Sequence, residues 1–251
     1  MSIKIENTVT PSGEQWQSLI LGARNPMNSW EKSDSAYILY PEGVFDDVEY
    51  EGMVYEVGSN DLALMRKLAK AGTDHRKFMR MITVYCDILA PLYWWKEFDT
   101  YKVGTVANSC STMHKIHENR FSIDDFSRDY IWMDVDGEIV ETQLVGTEDD
   151  PIFLSDAEIL IYTVGMLNEL RELYLRTKDK RYWYKMIQLL PSSYNQKRTV
   201  MLNYEVLANI YKSRKGHRLD EWREFCKWIE TDLPYSELIT GEWKPLCPHI
   251  K

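Results

Sequence analysis

The sequence predicts an α+β fold, a mixed sheet drawn from the N-terminal half and packed by helices of the C-terminal half. Three patterns lead to it. Met1–Thr10 sets Ile3, Ile5 and Val9 among polar residues, the alternation of an edge strand. Met79–Ala90 is an apolar run of strand length. After Ser155, apolar residues recur at helical spacing almost to the C-terminus.

Taken in order, the strand Ile3–Val9 leads to a helix over about Ser12–Ala23 and a loop at Asn25-Pro26. Tyr37–Tyr40 and Val48–Val57 have hairpin character about Pro41-Glu42-Gly43. Ser59-Asn60-Asp61 reads as the N-cap of a helix Leu62–Ala71 that Gly72 stops. Met79–Ala90 reads as a buried strand. Between Pro91 and Asn108, the aromatics Tyr93, Trp94, Trp95, Phe98 and Tyr101 interleave with charges. Such a segment can stack on a planar ring, or form a subunit contact. Phe121–Pro151 is acidic and predicts a hairpin, Tyr130–Val135 with Glu138–Leu144, about Asp136-Gly137. Glu148-Asp149-Asp150 reads as a solvated loop. Ser155 to Glu158 opens a long helix to about Arg176, its core stripe being Ile159, Thr163, Met166, Leu170 and Leu173. Helices over Arg181–Leu190, Gln196–Ser213 and Leu219–Ile229 complete the chain.

The 251 residues suit a single domain, 1–251, with the acidic hairpin at about 121–151 as an insertion. Nine Trp and sixteen Tyr suggest aromatic pockets, subunit contacts or simply an aromatic core. No run approaches the ~20 apolar residues of a membrane span, and the opening alternation is no signal peptide, so a cytoplasmic protein is expected. Cys86, Cys110, Cys226 and Cys247 form no CxxC pair and read as reduced thiols. The net charge of −9 argues against duplex nucleic acid as partner. A mononucleotide needs only one or two local cations.

The most informative stretch lies near the C-terminus. Asn203, Leu207, Ile210 and Arg214 fall at i, i+4, i+7 and i+11, one stripe of a helix. Leu and Ile suit a core face, but an amide at one end and a guanidinium at the other suit a ligand. The plainer alternative is an amphipathic helix whose Arg214 snorkels to water past Gly216.

This segment resembles the C-terminal signature of the flavin-dependent thymidylate synthases: Leu190-Pro191, then Asn203, Leu207, Asn209 and Arg214, with no gap. The family's following Ala-Gln pair and Glu are replaced by Leu219-Asp220 and Trp222. An upstream stretch is similar to the family's second block. Pro91, Lys102, Thr105, Asn108 and Ser111 occupy its positions, with one extra residue between Thr105 and Asn108. Of the family's Arg-His-Arg only Lys102 is kept, and its later Glu, Arg and Tyr become Ser109, Met113 and His114. The resemblance spans roughly residues 70–230.

What it implies follows residue by residue. Lys102, Asn203 and Asn209 would contact FAD. Asn108, Ser111 and Arg214 would contact a pyrimidine nucleotide, with Ser111 and Arg214 closest to the chemistry. Methylenetetrahydrofolate would supply the carbon, with NADPH as reductant, in a homotetramer that shares sites between subunits. The enzyme would be a methylase or a hydroxymethylase, and the alternative is a catalytically inactive nucleotide-binding protein on the same scaffold.

Other constellations are weaker. Cys110, His114 and His117 lack a clear fourth metal ligand and read as pocket lining. Cys110 is a minor candidate nucleophile without a visible base. Arg198, read as lying on the turn that opens the Arg214 helix, and Lys185 would support a phosphate beside Arg214. Asp220 would pair with Arg214 or Arg218, or read another group.

Overall fold

The computed structural model describes residues 3–40, 52–131, 141–146 and 151–242. β1 (Lys4–Val9) leads into α1 (Gly13–Arg24). Ser12 opens α1 with a capping box, the Ser12 N–H donating to Gln15 Oε1 at 2.8 Å while the Ser12 hydroxyl accepts the Gln15 N–H. β2 (Ala36–Tyr40) and β3 (Gly52–Glu56) pair antiparallel with Ala36 opposite Glu56. That is the expected hairpin, although Pro41-Glu42-Gly43 lies outside the described residues.

α2 (Ser59–Lys70) corrects the expected cap: Gly58 is the N-cap, and it has no side chain with which to cap. The orphan amides are met from another segment, Asn60 N–H donating to Asp34 Oδ2 at 2.8 Å and Asp61 N–H to Asp34 Oδ1 at 3.0 Å. Asp61 is thereby freed to turn inward. A 3₁₀ turn at Lys77–Arg80 shortens the next strand to β4 (Thr83–Pro91). β4 is not covered on both faces as expected. Val84, Cys86, Ile88 and Ala90 are buried while Tyr85 and Leu89 are exposed, a half-buried alternation.

α3 (Leu92–Phe98) and β5 (Thr105–Ser109) follow. β6 (Glu141–Gly146) then pairs antiparallel with β7 (Pro151–Ser155), Glu141 opposite Ser155. The expected acidic hairpin about Asp136-Gly137 lies mostly outside the described residues: Tyr130 and Ile131 sit in a turn, and Glu141–Gly146 pairs with the strand that follows it. Residues 132–140 and Glu148-Asp149-Asp150 are outside the described part.

α4 (Asp156–Thr177) starts where expected, and Ser155 with Glu158 forms a capping box there. Its buried stripe is Leu160, Val164, Leu167 and Leu170, with Met166 54% exposed, so the helix is rotated from the expected face. α5 (Lys180–Leu189) is capped by Asp179. β8 (Asn195–Asn203) replaces the first half of the helix expected over Gln196–Ser213, and α6 (Tyr204–Arg214) is the remainder. α7 (Asp220–Asp232) and the short α8 (Glu237–Thr240) close the described chain. Among the described residues no helix is long and apolar enough to cross a membrane.

The main sheet has the order β1-β4-β8-β5. The chain divides into two compact units, one taking in residues 88–100 and 108–198, the other 5–87, 101–107 and the chain from 199 on. In the first, Ile116, Phe121, Phe126, Leu160, Leu167 and Met186 form one buried cluster. In the second, α6 is buried nearly all round, and Trp222, Phe225 and Ile229 of α7 are fully inside. Burying each such large side chain contributes roughly 1.5–3 kcal/mol.

Candidate functional site

In the second unit, Leu207 and Ile210 are fully buried while Asn203 and Arg214 are half-buried, the polar-ended stripe read from the sequence. Asn203 is the N-cap, its Oδ1 accepting the Val206 N–H at 2.9 Å. Gly104 lies against that amide at φ 85°, and a Cβ there would stand 2.7 Å from Asn203 Nδ2. Only a glycine allows both the left-handed turn and the approach.

Arg214 does not run out to water. Its Nε donates to Tyr101 Oη at 2.9 Å, and its guanidinium carbon lies 4.7 Å from the Trp222 ring centre and 5.6 Å from that of Tyr101. The two rings meet edge-on, 6.0 Å apart. The hydrogen bond fixes the guanidinium plane, and the ring faces favour the cation by roughly 0.5–2 kcal/mol. Such a group is set to meet a planar or phosphorylated anion with little further loss of freedom. Asp220 makes an ion pair with Arg223.

Asn209 is exposed and accepts from Arg76 Nη2 at 3.2 Å, and Arg76 Nε lies 2.8 Å from Glu205 Oε2. Lys102 is exposed on the loop before β5. Nothing in the sequence flagged Tyr101 or Trp222 as partners of Arg214, or Arg76 as a partner of Asn209. Those pairings span up to 133 residues and belong to tertiary structure alone.

In the first unit, Arg198 is on β8 rather than on a helix-opening turn, because the strand continues to Asn203. It is firmly held. Nε donates to Gln196 Oε1 at 2.9 Å, Nη1 to Asp99 Oδ1 at 2.7 Å, and the guanidinium covers the Trp95 ring at 4.1 Å. Gln196 Nε2 in turn donates to the Cys110 carbonyl at 2.9 Å. Asn108 and Ser111 are both exposed, and the Ser111 hydroxyl accepts the His114 N–H at 3.0 Å, closing a turn. Lys185 stands over the Tyr182 ring, 5.6 Å from its centre. His117 packs edge-on against Tyr174. Among the described residues no group of three or more His, Cys, Asp or Glu could hold a metal ion.

The stacking platform expected between Pro91 and Asn108 is a core instead. Trp94, Trp95 and Phe98 share the inner face of α3, are at most 2% exposed, and pack on one another with ring centres 4.9–5.2 Å apart. Trp95 Nε1 finds its partner in the Gln196 carbonyl.

No protein-family profile matches the chain, and no curated relative does. Solved structures do. The flavin-dependent thymidylate synthase ThyX of Helicobacter pylori, complexed with FAD and dUMP, aligns at TM-score 0.55 and 15% identity, over 96% of this chain and 98% of that one. The UMP/dUMP methylase PolB of Streptomyces cacaoi, bound with 5-Br dUMP, aligns at TM-score 0.51 and 13% identity, over 96% and 93%. At such identities the likeness is one of fold.

Proposed function

We propose that this chain, which has the fold of the flavin-dependent thymidylate synthases, is a divergent enzyme of that kind. It would transfer a one-carbon unit from methylenetetrahydrofolate to C5 of a pyrimidine nucleotide of the dUMP type, with FAD as cofactor. The observation that carries the reading is the Arg214 guanidinium, oriented by Tyr101 Oη and faced by Trp222.

Arg214 would bind the nucleotide, either at its phosphate or at a pyrimidine carbonyl oxygen. Donation to a carbonyl oxygen would stabilise the negative charge that builds up as C5 becomes nucleophilic. Taken by themselves, Asn108 and Ser111 expose an amide and a hydroxyl of the kind that a nucleotide substrate calls for. Arg198 would present Nη2, which has no hydrogen-bond partner among the described residues.

The donor set suits a flavin in kind. Lys102 is exposed and makes no ion pair among the described residues, so its ammonium can meet a phosphate. Asn203 keeps Nδ2 beside Gly104 while Oδ1 caps the helix, and Asn209 is exposed. These three would hold the cofactor. Bound there and reduced with NADPH, FAD supplies the hydride that distinguishes a methyl product from a hydroxymethyl one. A homotetramer belongs to the same proposal.

The family's Arg-His-Arg cluster has only Lys102 as a counterpart, and this favours a second reading: nucleotide binding without catalysis. Calorimetric titration with dUMP tests what both share. Arg214→Lys, which loses the planar fork, is expected to weaken dUMP about 10-fold or more, and Tyr101→Phe about 5-fold. Unchanged affinity in Arg214→Lys would remove the basis of both readings. Binding with no turnover, given methylenetetrahydrofolate, FAD and NADPH, would select the second.

A further inference from the structure

The second unit holds a cavity of about 510 Å³ that the nucleotide reading does not use. On α6 it is lined by Ala208, Tyr211 and Lys212, with Lys215 just beyond the helix. At 100° per residue that face lies roughly 120° round the helix from the Asn203–Arg214 stripe. Arg214 is not among the lining residues.

Its chemistry is uneven. Lys70, Arg76, Lys212 and Lys215 all line it, and no carboxylate does. In a chain of net charge −9 that is a local reversal of sign. Two of the four are compensated, Arg76 by Glu205 at 2.8 Å and Lys215 by Glu242 at 3.1 Å. Lys70 and Lys212 make no ion pair among the described residues. The remaining wall is apolar, with Ala69, Leu238 and Ile239. Tyr211 adds a neutral ring: its hydroxyl donates to Glu230 at 2.6 Å, and burial, then that hydrogen bond, push its ionisation up. Like charges gathered in a concavity repel one another unless an anion enters. The volume is that of a small-molecule site.

We propose that this cavity binds an organic phosphate of nucleoside-diphosphate size, its phosphates met by Lys70 and Lys212 and its body lying on the apolar wall. The lysines act as point charges on phosphate oxygens, while the wall separates this ligand from inorganic ions. The site is independent of the proposed nucleotide site, and the two fail separately.

Calorimetric titration of the full chain with ADP, pyrophosphate and adenosine tests it. ADP is expected to bind more tightly than either part alone. The doubly substituted K70Q/K212Q protein should lose at least about 10-fold in ADP affinity, the equivalent of 1.4 kcal/mol, with its melting temperature kept because both lysines are exposed. Arg214→Lys should leave ADP binding unchanged. The proposal is overturned if millimolar ADP gives no heat, or if K70Q/K212Q binds ADP as the unaltered chain does. It is equally overturned if Lys102→Gln, rather than the double substitution, abolishes binding, which would place ADP at the proposed flavin site.

Discussion

Replacing Asp61 with Ala removes the centre of a buried polar knot. Arg24 Nε lies 2.5 Å from Asp61 Oδ1, with side chains 4% and 1% exposed. Asp61 Oδ2 accepts from the Ser33 hydroxyl at 2.7 Å, the Ser35 hydroxyl at 2.6 Å, and the Asp34 and Ser35 amides at 3.1 Å each. Without the carboxylate, Arg24 keeps only the Ser29 carbonyl at 3.1 Å, the Ser29 hydroxyl at 3.4 Å and the Lys32 carbonyl at 2.8 Å, and its charge is left uncompensated. Breaking one side of a buried pair costs about 3–5 kcal/mol. For a chain of this length that lowers the melting temperature by roughly 6–20 °C. Urea unfolding followed by tryptophan fluorescence measures it, with the slope unchanged. The double variant R24M/D61L, which orphans no charge, should cost less than Asp61→Ala alone. The pH dependence has a definite sign. Desolvation raises the Asp61 pKa, but the hydrogen bonds of Ser35, Ser33 and Arg24, with the Arg24 charge, outweigh it and hold the carboxyl below its ordinary value. Its stabilisation is therefore complete above the unfolded pKa of about 3.9 and is lost as pH falls through the lower folded value. The deficit of Asp61→Ala should shrink over that acid range. A cost under about 1 kcal/mol at neutral pH, or a deficit that grows with acid, would refute the reasoning.

Two further outcomes follow from the same packing. Gly104→Ala must take φ 85° and crowd the Asn203 amide, so both the turn and the α6 cap suffer. A loss of about 1–3 kcal/mol in urea unfolding is expected, and an unchanged midpoint would contradict the geometry. Burial pushes the Cys86 and Cys226 thiols up to about 12, with Asp87 adding at Cys86 and Glu230 at Cys226, whereas Cys110 is exposed. Alkylation of the native protein at neutral pH, mapped by peptide mass, should mark Cys110 and spare the other two. Labelling of Cys86 as fast as Cys110 would show that β4 opens readily.

The sequence disclosed most where local chemistry decides. Ser12 and Ser155 announce their helices through capping boxes that hydrogen bonds alone complete, and Gly72 ends α2 through its own backbone freedom. It disclosed least where partners are distant. The strand β8 looked helical because Lys197 to Asn203 carries no strict alternation, and its place between β4 and β5 overrides local preference. The same holds for α3. Trp94, Trp95 and Phe98 look like a ring-stacking surface beside their charged neighbours, yet helical geometry turns all three inward and leaves Tyr101, beyond the helix, to meet Arg214. The stripe of Asn203, Leu207, Ile210 and Arg214 was legible because it lies largely within one helix. The aromatic bracket that gives Arg214 its orientation was not, since Tyr101 lies 113 residues away.

The absorbance spectrum of the purified chain, before and after FAD and then dUMP, tests the central proposal most directly. An oxidised-flavin spectrum that dUMP perturbs, and that is weakened by Lys102→Gln, is the predicted result. A colourless chain whose melting temperature and spectrum ignore FAD would contradict it.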